Sequence, residues 1–279
     1  MYVNKMKHEK LLEINIKDIC IPPEKCFTVK PGYIKASTLS EMYKENYDYA
    51  PVVNDKIVYG LAGKKLLSNL HKNNRALSPS LPEVSGGPHF FEVSHSCVTL
   101  PQILEKMSDS MAILVFETGQ AEHHFISHFI GLTTLSDLNR HEIRFALFRI
   151  ITALESALEK VISNFFSDPN DWLKKLNEND QVRILGYCEL AKRNNIETDF
   201  IEATQLTNLL NIVAKTKEII ELLKYKSKSD FEKQTGHISQ LRNQVMHVVR
   251  PLIIKQSDVL RLLETISFID DLIRRLKSA

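Results

Sequence analysis

APVVNDKIVYGLAGKKLL, residues 50–67, holds two short runs of β-forming residues, Ala50 to Val53 and Lys56 to Leu61, parted by a turn and followed by a helical run from Lys64 to Leu70. An extended segment, Cys26 to Val29, and a helix, Thr38 to Asn46, are expected ahead of it. The same order returns downstream: Phe90 to Val93 extended, Leu100 to Met107 helical, Met111 to Phe116 and His123 to Leu132 as strands, then a helix from Leu135. Between the two copies, SPSLPEVSGGPH (Ser78 to His89) is rich in Pro, Ser and Gly and reads as a linker. Two β/α units of this kind, each with helices laid on a small sheet, pack side by side.

Beyond about residue 140 the pattern changes to long stripes with a 3.6-residue period and few glycines. The first helix is expected from His141, with Ile143, Leu147, Ile150, Ile151, Leu154, Leu158 and Val161 on one face, stopping near Asp168-Pro169. Further helices are expected at Trp172 to Leu176, Gln181 to Asn194, Thr204 to Leu223 and Phe231 to Val249, the last stopped by Pro251. A final one, Asp258 to Leu276 behind Ser257, repeats Val259, Leu262, Leu263, Ile266, Ile269, Leu272, Ile273 and Leu276. The expected fold class is therefore α+β: tandem β/α repeats in residues 1–140, then an all-α helical bundle in residues 141–279.

The totals narrow the function classes. A chain of 279 residues has the size of two domains, and 43% hydrophobic with 25% charged residues is an ordinary globular balance. A net charge of +2, from 36 basic and 34 acidic residues, gives no overall field for nucleic acid, so any such contact is local. The beginning lacks the apolar core of a secretion signal and no stretch has the length of a membrane span, so a cytoplasmic location is expected. Cys20, Cys26, Cys97 and Cys188 show no paired spacing and read as reduced thiols.

The stretches IPPEKCFTV, TLSEMYKENYDYAPVVNDKIVYGLAGKKLL, TLPQILEKM and FIGLTTLSDL together resemble the two halves of a cystathionine-β-synthase (CBS) domain pair, or Bateman module, across roughly the first half of the chain. The resemblance implies a regulatory adenosine-containing ligand, an adenine nucleotide, bound between the halves. The family's strand-to-helix signature is met by Gly131-Leu132-Thr133-Thr134-Leu135-Ser136-Asp137, which makes Gly131, Thr133, Thr134 and Asp137 the candidate ligand-binding residues. A glycine lets a ligand approach the backbone, a hydroxyl at a helix start can meet phosphate or ribose, and a carboxylate can accept two ribose hydroxyl protons. The same residue types would also arise if Thr134 simply caps a helix with Asp137 in its first turn. The matching place in the first repeat, Gly60-Leu61-Ala62-Gly63-Lys64-Lys65-Leu66, has neither hydroxyl nor carboxylate; its lysines face a phosphate or just solvent. Ala50, Pro51 and Ala112 to Leu114 either wall an adenine ring or belong to the core.

Within the penultimate helix, LRNQVMHVVRP resembles the signature of HEPN domains, helical bundles that include RNA-cleaving toxins and defence effectors: Arg, four to six residues of which the first is commonly polar, then His. Arg242, Asn243 and His247 occupy those places and are the candidate catalytic residues. The resemblance implies a nucleotide-regulated, metal-independent endoribonuclease of the toxin or defence type, a homodimer in which two motifs meet, with RNA as substrate and no catalytic cofactor. In chemical terms, an imidazole can take the proton of a ribose 2′-hydroxyl as it attacks the adjacent phosphate, and a guanidinium can hold the non-bridging oxygens. Asn243, one turn before His247 on an ideal helix, can orient it. In the competing reading Arg242 pairs with Glu155 or Glu159 and the helical half is a non-catalytic dimerisation or scaffold element.

Two smaller features bear on metal and RNA contacts. His123, His124 and His128 are placed on an exposed hairpin edge rather than on a metal, since the alternating positions lie too far apart along a strand for one ion, and no metal site is expected. Lys224-Tyr225-Lys226-Ser227-Lys228 is a basic loop that either steers an RNA backbone or is merely solvated.

Overall fold

The computed structural model describes residues 6–85, 89–118 and 128–279. It forms two compact units. One consists of Leu12–Ala146 with Pro251–Leu263 and is mixed α/β; the other consists of Met1–Leu11, Leu147–Arg250 and Glu264–Ala279 and is helical. Among the described residues no helix is long and apolar enough to cross a membrane.

The mixed unit is built from two copies of one motif. In the first, β3 (Tyr49–Asn54) pairs antiparallel with β4 (Ile57–Gly63), and Val29 bridges to Val52 in parallel. In the second, β8 (Ala112–Glu117) pairs antiparallel with β9 (Phe129–Thr134) and in parallel with β6 (Phe90–Val93). Helix α2 (Ala36–Lys44) precedes β3 and α5 (Leu100–Asp109) precedes β8, as the pattern predicts. Each hairpin shifts register at the same place: after Val52, which faces Gly60, and after Val115, which faces Gly131. This equivalence ties Gly60 to Gly131 residue for residue.

What precedes each copy is packed on the other copy. β1 (Glu13–Asn15) and α1 (Ile16–Ile19) lie ahead of the first repeat in the chain, yet β1 pairs with β7 (Cys97–Thr99) of the second, and Ile21 bridges Leu132 of β9. Conversely β5 (Ala76–Leu77) and α4 (Pro82–Ser85) lie ahead of the second repeat, yet β5 pairs with β2 (Gly32–Tyr33) of the first. The segment from Ser78 onward, expected as a linker, is thus partly structural: Pro82 starts a short helix whose Val84 is fully buried in the first repeat's core.

The two glycines make these crossings possible. A Cβ on Gly60 would stand 1.9 Å from the Val84 carbonyl oxygen, and one on Gly131 would stand 2.4 Å from the Ile21 carbonyl oxygen and 2.9 Å from the Cys20 Cβ. No side chain fits at either place. Around them Leu61, Val58, Leu114, Phe116, Phe129 and Leu132 form one apolar cluster shared by β4, β8 and β9, while α2, β3 and α3 (Lys64–Lys72) enclose the other.

The helical unit follows the predicted stripes. Leu147, Ile150, Ile151, Leu154, Leu158 and Val161 of α6 (His141–Phe165) are buried, as are Ile266, Ile269, Leu272, Ile273 and Leu276 of α12 (Gln256–Ser278). Between them come α7 (Pro169–Leu173), α8 (Glu178–Arg193), α9 (Leu206–Ala214), α10 (Lys217–Leu222) and α11 (Lys228–Met246). The single helix expected over Thr204 to Leu223 is broken at Lys215-Thr216, where the buried Thr216 hydroxyl donates to the Ile212 carbonyl and Thr216 becomes the N-cap of α10. At the start of the chain, the Lys7 and His8 backbone N–H groups both donate to the buried Asp270 carboxylate of α12, which fastens the first segment to the helical unit.

In the mixed unit, Asn139 holds the chain that follows α11. Its Oδ1 accepts the N–H groups of Leu252 and Ile253 at 2.6 and 3.0 Å, and its Nδ2 donates to the Ile253 carbonyl at 2.9 Å. Both units therefore draw on residues beyond a simple cut at 140.

Gly60→Ala and Gly131→Ala should each destabilise the chain by about 1–3 kcal/mol, the usual cost of forcing extra volume into a packed site. Gly186→Ala on α8, where nothing lies within 4 Å, should be neutral or stabilising by about 0.5–1 kcal/mol. Urea midpoints for the three variants check this; an unchanged midpoint for Gly60→Ala would contradict the crossing.

Candidate functional site

Strand β9 delivers Gly131 to Thr134 into a 3-10 turn, Leu135–Asn139, with Thr134 as N-cap and Asp137 closing a capping box. The Asp137 side chain is only 7% exposed, and both its oxygens are taken. Oδ2 accepts the Thr134 N–H at 2.9 Å and the Thr134 hydroxyl at 2.7 Å; Oδ1 accepts Nε and a terminal nitrogen of Arg140 at 3.0 and 2.7 Å. A carboxylate has about four lone-pair sites, so four donors saturate it. Arg140 is itself oriented by a further bond to the Asp18 carbonyl.

The other candidates of this turn have structural occupations. Gly131 makes room for the Ile21 backbone and the Cys20 side chain, which fill the space that a Cβ would take. Thr133 is completely buried, and its hydroxyl lies 3.1 Å from the Cys20 thiol. Burial pushes that thiol up to about 12 despite the Thr133 bond, so it stays protonated. In the first repeat, Lys64 pairs with Asp48 at 3.1 Å and stands over the Tyr43 ring, which occupies one of the two lysines considered for phosphate. Ala50 and Ala112 to Leu114 are fully buried core. His123 and His124 lie outside the described residues, and no metal-holding cluster occurs among the described ones.

In the helical unit, α11 ends one residue before His247. Its backbone at His247 is extended (φ −109°, ψ 93°), although the His247 N–H still donates to the Asn243 carbonyl. The helix expected to reach Val249 is cut short ahead of Pro251, which disfavours a helical residue before it: Val248 and Val249 form a turn in which the Arg250 N–H donates to the His247 carbonyl at 2.9 Å. His247 and Asn243 are exposed and Arg242 is half-buried, so none of the three is sealed inside the bundle.

Arg242 faces α6. The half-buried Glu155 carboxyl is held above its ordinary 4.5 by burial, a push opposed first by the Arg242 guanidinium and then by the Leu206 N–H at the start of α9. Glu159, one turn on, is also raised, by burial and then by Glu155 and Glu202. The arginine of the motif thus acts electrostatically on the Glu155 carboxyl, while its histidine opens to solvent. What sequence reading missed is the pair of groups that complete these sites: Arg140, whose three-residue spacing from Asp137 was a usable signal, and Cys20, which meets Thr133 across 113 positions with no local signal at all.

No protein-family model matches the chain, and no curated protein matches it. Among solved structures it is similar to a hemolysin-like protein containing a CBS domain from Oenococcus oeni PSU, at 17% identity and a TM-score of 0.36, over 46% of this chain and 90% of that one. It is likewise similar to a CBS domain-containing protein of unknown function from Bacillus anthracis, at 16% identity and a TM-score of 0.33, over 47% of this chain and 94% of that one.

Because the folded chain holds the Glu155 proton more tightly than the unfolded chain, the stability linked to it is complete below about pH 4.5 and is lost as pH rises through the elevated folded value. Arg242→Ala removes the opposing cation. The Glu155 titration, followed by carboxyl NMR, should then move further upward; no movement would mean that Arg242 and Glu155 do not interact.

Proposed function

We propose that the helical unit cleaves RNA without a metal at Arg242 and His247, and that an adenosine-containing ligand at the Asp137 turn regulates it. The observation that carries the catalytic part is the motif's placement: a guanidinium in the last turns of α11 and an imidazole just past its end, with Arg242 half-buried and His247 open to solvent. His247 would accept the 2′-hydroxyl proton as that oxygen attacks phosphorus. The bond to the 5′-oxygen breaks, leaving a 2′,3′-cyclic phosphate and a 5′-hydroxyl that takes its proton from water. Arg242 would hold the non-bridging oxygens, exchanging part of its interaction with Glu155 for the phosphate, and Asn243 would fix the position of His247 or the phosphate. DNA, without the 2′-hydroxyl, is not a substrate. Two motifs meeting in a homodimer complete the cleft in this reading.

The regulatory part uses the same geometry in another way. Ribose hydroxyls can reach Asp137 only by displacing Arg140 or Thr134, since the carboxylate is saturated. Arg140 immediately precedes α6, the helix that carries Glu155. A ligand that takes Asp137 from Arg140 therefore acts at the residue ahead of that helix. It changes activity only if it binds the active and inactive arrangements with different affinity.

The interaction of Arg242 with Glu155 favours a second reading, in which Arg242 is a structural cation and the chain is a nucleotide-sensing scaffold. Incubation of purified protein with single-stranded and structured RNA, with and without AMP or ATP, separates the two. Cleavage should fall by about a hundredfold or more in His247→Ala, the usual loss on removing a general base, and comparably in Arg242→Ala. Intact RNA in every condition, or full cleavage by His247→Ala, leaves the scaffold.

A further inference from the structure

A second concentration of charge lies in the helical unit, on residues other than Arg242, Asn243 and His247. A cavity of about 830 Å³ is lined by Lys7, His8, Lys224, Arg274, Arg275 and Lys277, with Leu222 and Leu223 beside them. These residues come from three stretches: the start of the chain, the turn after α10 and the last turn of α12. We propose that this cavity binds a small ligand carrying two or more phosphate groups.

The side chains are held in place by one another. Lys277 Nζ lies 2.8 Å from His8 Nε2. An ammonium only donates, so Nε2 accepts and the ring proton sits on Nδ1, which meets Asp270 Oδ1 at 2.9 Å. Asp270, nearly fully buried, also takes the Lys7 and His8 N–H groups. It thereby anchors the first segment against α12. Asp271 accepts Arg274 at 2.5 Å and Arg275 Nε at 2.7 Å. The Arg275 guanidinium lies over the Tyr225 ring, 5.4 Å from its centroid, and donates to the Leu223 carbonyl at 3.2 Å. Tyr225 belongs to the basic loop singled out in the sequence, and Lys224 ahead of it takes a left-handed backbone, φ +62°.

Five permanent cations thus line one concavity, while the two carboxylates that hold some of them, Asp270 and Asp271, are not among its lining residues, and the excess is positive. Cations at a helix C-terminus ordinarily complement its dipole, and that accounts for Arg274, Arg275 and Lys277. It does not account for Lys7 and Lys224, which reach the same cavity from other segments. Walls of lower dielectric concentrate such a field. The volume falls in the range of small-ligand pockets, roughly 300–1,000 Å³, and guanidinium forks match phosphate oxygens in pairs. An excess of about three charges suits a diphosphate or triphosphate group better than a single carboxylate.

Calorimetric titration of the full chain with sodium pyrophosphate and with tripolyphosphate tests this, using residues separate from those of the nuclease reading. Both should bind, tripolyphosphate more tightly, with affinity falling as salt is added. Lys7→Ala/Lys224→Ala, a double substitution of exposed side chains, should weaken binding about tenfold or more, equivalent to about 1.4 kcal/mol, with unchanged thermal unfolding. Arg242→Ala should bind as the unaltered chain does, whether or not it cleaves RNA. Absence of heat with both probes at millimolar concentration, equal affinity in the double variant, or complete displacement of pyrophosphate by a short single-stranded RNA would overturn the assignment to a small oligophosphate.

Discussion

The mixed unit depends on two places where backbone passes over backbone too closely for any side chain. At Gly60 and Gly131 the hairpins let through a segment that belongs, in chain order, to the opposite repeat. Steric exclusion is unforgiving at such distances, and the register shifts after Val52 and Val115 sit directly opposite these glycines. The strand pairs β1 with β7 and β2 with β5 follow from the same exchange. One apolar cluster, with residues from β4 on one side and β8 and β9 on the other, is then shared by both repeats. Each repeat is completed by residues that precede its counterpart.

The charged groups of the candidate sites are satisfied within the fold. Asp137 has its hydrogen-bonding capacity used by Thr134 and Arg140, and the Glu155 carboxyl is balanced between burial, Arg242 and the Leu206 N–H. A ligand or substrate at either place competes with an internal partner. Such competition is how binding energy becomes a change of arrangement, because what the ligand displaces must find another position.

Much of this was legible in the sequence. The strand, strand and helix order of the first repeat follows from period-two and period-3.6 patterns, whereas the helix expected from Leu135 in the second is a five-residue 3-10 turn, and the buried stripes of α6 and α12 are those that the spacing marks. The capping box at Thr134 and Asp137 is a spacing rule visible in the letters. The short pieces β1, α1, β2, β5, β7 and α4 were not legible: each has two to four residues, and Glu13 finds its partner Thr99 far along the chain. Residues 78–85 look like a linker because proline and serine dominate, yet Val84 is the residue that Gly60 accommodates. The end of α11 was overrun for a similar reason: Val248 and Val249 continue the apolar rhythm but stand 73% and 93% exposed outside the helix.

Asn139 behaves like a fragment of an absent neighbouring strand. Its side-chain amide offers an acceptor to two successive N–H groups and a donor to the carbonyl between helices, the pattern that a peptide bond would present. Aspartate and leucine have the shape, but aspartate lacks the donor and leucine lacks donor and acceptor alike, so a relative of this chain carrying either would have to reroute the stretch around Leu252 and Ile253. The identity of one amide side chain thus sets which connections between the last two helices evolution can try.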